Sequence, residues 1–146
     1  MLFVLLISCK DKELNKLDIV GSYGQKGDWY FQFDTSLNIS NYLKDSKSLS
    51  NSLKELDDEK SSFDGIVYME KSTGEAGLGL WKLNKISDWG GTEVNIKWQK
   101  YGFTNQSLYT DGSWYFKKDG NLIYFTASEV DFNTKIASWP KGGIIN

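Results

Sequence analysis

The 146-residue sequence has no histidine and no arginine, and all 17 of its basic residues are lysine. Histidine is the commonest general base and metal ligand, and arginine supplies the planar fork that binds phosphates and base edges. Their absence argues against triad hydrolysis, zinc catalysis and sequence-specific recognition of nucleic acid. The formal net charge of −2 also disfavours a polyanionic partner. We therefore expect no nucleic-acid partner and none of these kinds of catalysis.

Cysteine is scarce too, since Cys9 is the only one. The chain therefore cannot form an intramolecular disulfide or a structural metal site built from cysteines. It also has no apolar run long enough to span a bilayer. Aromatic residues are abundant instead, at 15%, with six tryptophans, eight tyrosines and eight phenylalanines. Burial of these large side chains can stabilise one domain of this length without covalent cross-links.

The N-terminal residues carry the most specific signal in the sequence. An apolar run, Leu2–Ile7, leads into Leu6-Ile7-Ser8-Cys9, which resembles the lipobox of bacterial lipoproteins. This resemblance implies that residues 1–8 are a signal peptide, shortened at its start, and that Cys9 is lipidated. Residues 9–17 would then be a lipidated tether, and residues 18–146 a single β-domain. The alternative is that Leu2–Ile7 form a buried strand, because a short apolar run has no distinguishing periodicity.

A lipidated Cys9 would place the protein in the bacterial cell envelope as an outer-membrane lipoprotein. The membrane would then be a partner through the N-terminal lipid, with the domain on the periplasmic or the surface face. Lys10 and the acidic residue after it resemble the export signal of surface-exposed lipoproteins, although Lys12 interrupts the acidic run. Both faces therefore stay open.

A β-hairpin is the clearest local unit. Ser113–Lys118 and Asn121–Thr126 have strand composition, and the Asp119-Gly120 dipeptide between them is typical of a two-residue type I′ turn. This turn would pair Phe116 with Ile123. Because side chains alternate along a strand, both residues would lie on the apolar face.

Other segments show the alternating or β-branched pattern of strands. They are Asp28–Asp34, Ile66–Lys71, Ala76–Leu83 and Glu93–Lys100, with Leu37–Leu43 as the expected partner of the first. In contrast, Leu49–Lys60 has leucines at helical spacing and predicts one short amphipathic helix near residues 49–60. Together these segments predict a mainly all-β fold, an antiparallel meander that closes into a barrel or a curved sheet.

A second resemblance lies where the tether ends. Val20-Gly21-Ser22-Tyr23 is similar to the opening of bacterial lipocalin-like lipoproteins, which are small, lipid-anchored antiparallel barrels or half-barrels. The resemblance covers the lipobox, the tether and this opening, and the later strands only in their general pattern. It implies a lipocalin-like barrel.

The candidate ligand-binding residues are large aromatic side chains on the inferred strands. They are Trp29, Phe31, Trp81, Trp98, Trp114 and Phe116. Gly77 and Gly79 share a strand face with Trp81, so two missing side chains beside an indole would leave a slot for a flat or glycan ligand. The alternative is that these glycines let the sheet bend or let another backbone approach.

The leading functional hypothesis is a lipid-anchored envelope protein whose non-catalytic barrel binds a small apolar or glycan ligand or a protein partner, without cofactor or metal. The alternative is an envelope inhibitor or immunity-type protein that uses an exposed patch of Tyr115, Leu122 and Tyr124. The third is a carboxylate-dependent hydrolase, although 19 acidic residues supply chance pairs in any fold. An enclosed apolar cavity would favour the first hypothesis, a flat aromatic patch the second, and a cleft with facing carboxylates the third.

We expect Cys9→Ser to move the protein from the membrane fraction to the soluble fraction or to block its processing. Each buried methylene of an acyl chain contributes about 0.8 kcal/mol to membrane binding, and more than one chain gives stable anchoring. Metabolic labelling with a fatty-acid analogue is the measurement. A wild-type protein that takes up no label would rule out the lipobox.

Overall fold

The computed structural model describes residues 13–24, 29–35, 62–71, 76–99 and 111–142. These residues form one antiparallel sheet of eight strands, in which neighbours in sequence are neighbours in space. The strands are β1 (Gly21–Gly24), β2 (Tyr30–Asp34), β3 (Gly65–Glu70), β4 (Ala76–Ile86), β5 (Thr92–Gln99), β6 (Gly112–Asp119), β7 (Leu122–Thr126) and β8 (Ser138–Pro140). Two short helices, α1 (Lys16–Ile19) and α2 (Glu129–Thr134), lie before β1 and between β7 and β8.

The last strand returns to the first, so that the sheet forms a nearly closed barrel. Tyr23 in β1 forms an isolated bridge with Lys141, which directly follows β8. The Gly142 N–H donates to the Ser22 carbonyl at 2.7 Å. Closure leaves few unpaired strand edges, which would otherwise offer a template for association. The all-β antiparallel meander is therefore confirmed, and its form is a barrel rather than an open curved sheet.

Aromatic rings fill the middle of the barrel. The ring centroid of Phe33 lies 4.9 Å from that of Phe116 and 5.0 Å from that of Phe125. Tyr23 lies 5.6 Å from Phe33 in an edge-to-face arrangement. All four side chains are fully buried, because alternate residues of their strands point inward. Each such pair contributes about 0.5–1.5 kcal/mol beyond the area that it buries.

The segment before β1 closes one end of the barrel. Asn15 caps α1 through its side-chain oxygen, which accepts the Asp18 N–H at 2.9 Å. Leu14 and Ile19 are buried in the core cluster, and the Tyr23 hydroxyl donates to the Ile19 carbonyl at 2.5 Å. Leu14, which the sequence analysis places in the tether, therefore packs against this end of the core.

The hairpin of β6 and β7 differs from the prediction in its turn and register. Asp119 pairs with Leu122, so Gly120 and Asn121 form the turn, and Phe116 pairs with Phe125 rather than with Ile123. Only Gly120 of the two turn residues has positive φ, at 61°, which matches the type II′ turn rather than type I′. Because the partner shifts by two residues, the inward faces of both strands are nevertheless as predicted.

The other predicted segments are confirmed, differ from the structure, or lie outside the described residues. Strands β3, β4 and β5 confirm the predicted segments, and Val94, Ile96 and Trp98 are buried as expected. The strand predicted from residue 28 begins at Tyr30, and its edges pair with β1 and β3 rather than with Leu37–Leu43. That predicted partner and the predicted helix near residues 49–60 lie outside the described residues.

Gly120→Val should lower the free energy of unfolding by about 1–3 kcal/mol, because a β-branched residue is strained at positive φ. An added Cβ at Gly120 meets no atom within 4 Å, so the loss would come from the backbone conformation alone. Gly112→Val is the matched control, since Gly112 has equally open space and no positive φ. Equal denaturant midpoints for the two variants would contradict the assigned turn.

The buried Tyr23 phenol makes stability depend on pH. Burial first, and the nearby Asp18 carboxylate second, raise the pKa of Tyr23 above its ordinary value of about 10. The folded state therefore keeps this proton where the unfolded chain loses it, and we expect the free energy of unfolding to fall as the pH rises above about 10.

Tyr23→Phe removes this contribution, so its stability should fall less steeply than that of the wild type above about pH 10. At neutral pH the variant should lose about 1 kcal/mol, because the Ile19 carbonyl loses the hydroxyl as a donor. Urea unfolding at a series of pH values measures both effects. Parallel pH profiles of the two proteins would contradict the argument.

Candidate functional site

The end of the barrel opposite α1 contains a cavity. The antiparallel order brings together at this end the last residues of β1, β3, β5 and β7 and the first residues of β2, β4, β6 and β8. The cavity has a volume of about 450 Å³. It is lined by Trp29, Phe31, Met69, Trp98, Trp114, Ala137 and Trp139. Six of these seven side chains are large and apolar or aromatic, so the walls are predominantly rings.

One wall of the cavity is a group of three mutually touching rings. Trp29, just before β2, stacks on Phe31 with ring centroids 6.1 Å apart and an interplanar angle of 9°. Trp139 in β8 lies 4.9 Å from Phe31 and 5.9 Å from Trp29. Each ring thus limits the rotation of the other two. This wall presents a fixed aromatic surface rather than a flexible one.

Trp114 and Trp98 also line the cavity, and the Trp114 ring lies 6.4 Å from that of Trp139. Trp114 in β6 stacks on Phe125 at 5.1 Å, and Trp98 in β5 pairs across the sheet with Gly79. A Cβ at Gly79 would lie 3.0 Å from the Trp98 ring and 2.9 Å from the Lys97 carbonyl oxygen. Only glycine therefore lets this indole lie against β4. The slot predicted beside Gly79 is filled by Trp98 itself.

Two of the six predicted ligand-binding residues lie in the core instead of the cavity. Trp81 is fully buried, with its ring 6.0 Å from Phe33. Its indole N–H points at two backbone carbonyls, of Asp34 at 3.0 Å and of Ile66 at 3.1 Å. Phe116 is also fully buried, in the central ring cluster. Both side chains stabilise the barrel and leave no exposed surface to a ligand.

The other four predicted residues are brought together in the cavity wall. They are Trp29, Phe31, Trp98 and Trp114. The sequence analysis did not name Met69, Ala137 and Trp139 as ligand-binding residues. Met69 was detectable, because it alternates with the inward Val67 in a predicted strand. Trp139 was not, since β8 has three residues, ends in a proline and shows no alternating run.

Ala137 holds its place in the cavity wall with an unusual backbone. Its φ of 43° lies in the left-handed region, which costs a non-glycine residue about 1–3 kcal/mol. The Ala137 carbonyl accepts the Ala127 N–H at 3.2 Å and the Thr126 hydroxyl at 3.3 Å. These two hydrogen bonds fix the strained residue against the end of β7. Backbone strain of this kind is concentrated at binding and catalytic sites.

The lining determines what the cavity can bind. None of the described lining side chains has a carboxylate, an amide or a hydroxyl group, so this part of the cavity wall supplies no general acid or base. Apolar groups gain about 25 cal/mol for each Å² that they bury there. A glycan would find only indole N–H donors and no oxygen acceptor on the described lining side chains, so most of its hydroxyls would lose hydrogen bonds to water at a cost of a few kcal/mol each. The walls therefore favour an apolar solute over a sugar.

The aromatic patch proposed for a protein partner is mostly covered. Trp89 lies 5.0 Å from Tyr115, and Phe132 of α2 lies 6.1 Å from Tyr124, between ring centroids. The Lys135 Nζ is 4.6 Å from the Tyr124 centroid and extends over that ring. Leu122 alone of the three predicted patch residues is exposed. Tyr115, Leu122 and Tyr124 therefore do not form a flat exposed surface.

Within the described ranges, no group of three His, Cys, Asp or Glu side chains is placed to hold a metal ion. The helices of that part of the chain are too short to cross a membrane. Comparison with protein families, with characterised proteins and with solved structures finds no match to this chain.

Proposed function

We propose that the protein binds a small apolar molecule with planar rings in the open end of its barrel, without catalysing a reaction. The observation that carries the proposal is a cavity of about 450 Å³ with five aromatic side chains in its wall. Its volume falls in the range of about 300–1,000 Å³ that is typical of ligand pockets. Trp29, Trp114 and Trp139 are only partly buried, so parts of these rings are open to contact with a second ring system.

The barrel architecture supports the same function. Up-and-down barrels of eight strands hold one small ligand in lipocalins, and the described residues of this protein form a barrel with that strand number and order. Leu14 and Ile19 fill the end next to α1, so a ligand has its entry at the other end. The barrel is thus filled at the α1 end, and its opposite end, which contains the cavity, is called the mouth below.

The proposal also includes a lipid anchor on Cys9. Residues 10–13 separate Cys9 from Leu14, and four extended residues span at most about 14 Å. If Cys9 carries the lipid, the closed end of the barrel is held near the outer membrane and the mouth points away from it. The ligand would then come from the aqueous phase or from a protein on the far side, in the periplasm or at the cell surface.

A protein-facing role is the second candidate, supported by a different surface from the one first predicted. Val130 and Ile136, in and just after α2, are 68% and 67% exposed, and Leu122 is 46% exposed. Exposed apolar side chains on adjoining segments are typical of contact surfaces. The hydrolase hypothesis has no corresponding support among the described residues, because none of those that line the cavity is an Asp or a Glu.

We expect a neutral apolar fluorophore, N-phenyl-1-naphthylamine, to bind saturably and to quench tryptophan emission. Four of the six tryptophans line the cavity, so energy transfer to a bound fluorophore should be efficient. Met69→Trp fills the cavity from β3 and should weaken binding about tenfold or more. The measurement is a fluorescence titration with circular dichroism to verify folding.

Leu122→Trp is the matched control, since it adds an indole at an exposed position of β7 outside the cavity. It should bind the fluorophore with wild-type affinity. Absence of saturable binding to the wild type would overturn the cavity proposal and leave the protein-facing role ahead. Equal weakening in both tryptophan variants would place the fluorophore elsewhere on the molecule.

A further inference from the structure

A lysine lies at the rim of the cavity. Val67 and Met69 of β3 point into the barrel, and Met69 lines the cavity. Lys71 follows Met69 by two residues and so continues the inward face of the strand at its end. Its Nζ is 5.1 Å from the ring centroid of Trp29, which forms part of the cavity wall. A positive charge is thus placed where the ring-lined cavity meets the mouth.

Two described acidic groups at this end of the barrel have other hydrogen-bond partners. Glu70 points to the opposite face of β3, where its carboxylate accepts the Tyr68 hydroxyl at 2.5 Å. Asp111, at the start of β6, accepts the backbone N–H of Trp98 at 2.8 Å. In the part of the chain that the structure describes, no ion pair joins Lys71 to a carboxylate. Among those residues, the ammonium group of Lys71 is stabilised only by the face of the Trp29 ring.

We propose that the ligand carries an anionic head group, a carboxylate, which pairs with Lys71 while its apolar rings lie against the indoles. This inference rests on the proposed ligand-binding function and names the chemical class of the ligand. An ion pair at the rim of an apolar site is stronger than one in bulk water, because the neighbouring rings exclude part of the solvent. The pair would also orient the ligand, with its head at the mouth.

A cationic ligand is the obvious competitor, since cages of aromatic rings bind quaternary ammonium groups. Here Lys71 already occupies the face of Trp29 as a cation. A second positive charge in the same cage would be repelled by it. An anion, in contrast, gains the lysine as a partner without displacing it, so charge complementarity selects an anionic head group, and a carboxylate is the simplest one to test.

The cavity volume favours a free acid in solution over an anionic lipid as the ligand that carries this head group. The volume of about 450 Å³ lies in the lower part of the usual range for ligand pockets. It fits one compact apolar group rather than the two acyl chains of a phospholipid. The proposed ligand is therefore a free monocarboxylate with a ring system, taken from solution, and not an anionic lipid held in a bilayer.

The test compares pyrenebutanoic acid with its methyl ester, which has the same rings and no charge. At pH 7 the acid is ionised. The wild type should bind the acid about tenfold more tightly than the ester, as measured by quenching of tryptophan emission. Lys71→Gln should remove that preference, a change of about 1.4 kcal/mol, and leave the affinity for the ester unchanged. Lys71→Arg should restore it.

Lys82→Gln is the matched control, because Lys82 is exposed on β4 and follows the inward Trp81. It should keep the full preference for the acid. Equal affinities of the wild type for the acid and the ester, or a preference that survives in Lys71→Gln, would overturn the anionic head group. Binding to phosphatidylglycerol vesicles without binding of the free acid would overturn it as well.

The two proposals fail in different ways. If N-phenyl-1-naphthylamine binds but the acid has no advantage over the ester, the cavity stands as a binding site and only the assignment of the head group is wrong. If none of the three probes binds, the ligand-binding function is itself wrong. Unchanged ester affinity in Lys71→Gln also shows that this variant is folded.

Discussion

The central ring cluster is the interaction on which the rest of the barrel depends. Tyr23, Phe33, Phe116 and Phe125 come from four different strands and meet at centroid distances of 4.9 to 6.3 Å. With one cysteine in the chain, no disulfide ties these strands together. Apolar burial between the rings has to supply that stabilisation. Because β1 and β7 both contribute rings, the cluster also brings β1 close enough for the residues after β8 to close the barrel.

The inward-pointing side chains fill one end of the barrel but leave a cavity at the other. Beside α1, Leu14 and Ile19 add apolar volume and fill the interior. At the other end, tryptophans stand at the wall and pack sideways on each other, as Trp29, Phe31 and Trp139 do. Large rigid rings that stack along a wall do not collapse across the space between them. The cavity therefore follows from the shape of the side chains that surround it.

On the outer surface near α2, the tertiary structure covers most of an aromatic patch that the sequence predicts to be exposed. Tyr115 and Tyr124 alternate outward on a hairpin and predict an exposed patch. In the fold, Trp89 and Phe132 cover them, and Lys135 Nζ lies 3.6 Å from the Phe132 centroid. Leu122 of the predicted patch stays exposed, and Val130 and Ile136 are exposed as well. A contact surface on this side would therefore be built on α2 and its C-terminal turn.

The sequence by itself determined strands β2 to β7, the inward faces of β5, β6 and β7, and four of the seven described cavity-lining residues. Period-two alternation depends only on neighbours along the chain. The sequence did not determine the register of the β6–β7 hairpin, where Asp119-Gly120 suits one turn and Gly120-Asn121 forms another. Nor did it separate Trp81 from Trp98, since both are inward tryptophans on adjacent strands. Only the tertiary structure decided that Trp81 bonds to backbone carbonyls in the core while Trp98 faces the cavity. The position of a side chain along the barrel axis depends on which strand ends meet, and only the assembled sheet determines that.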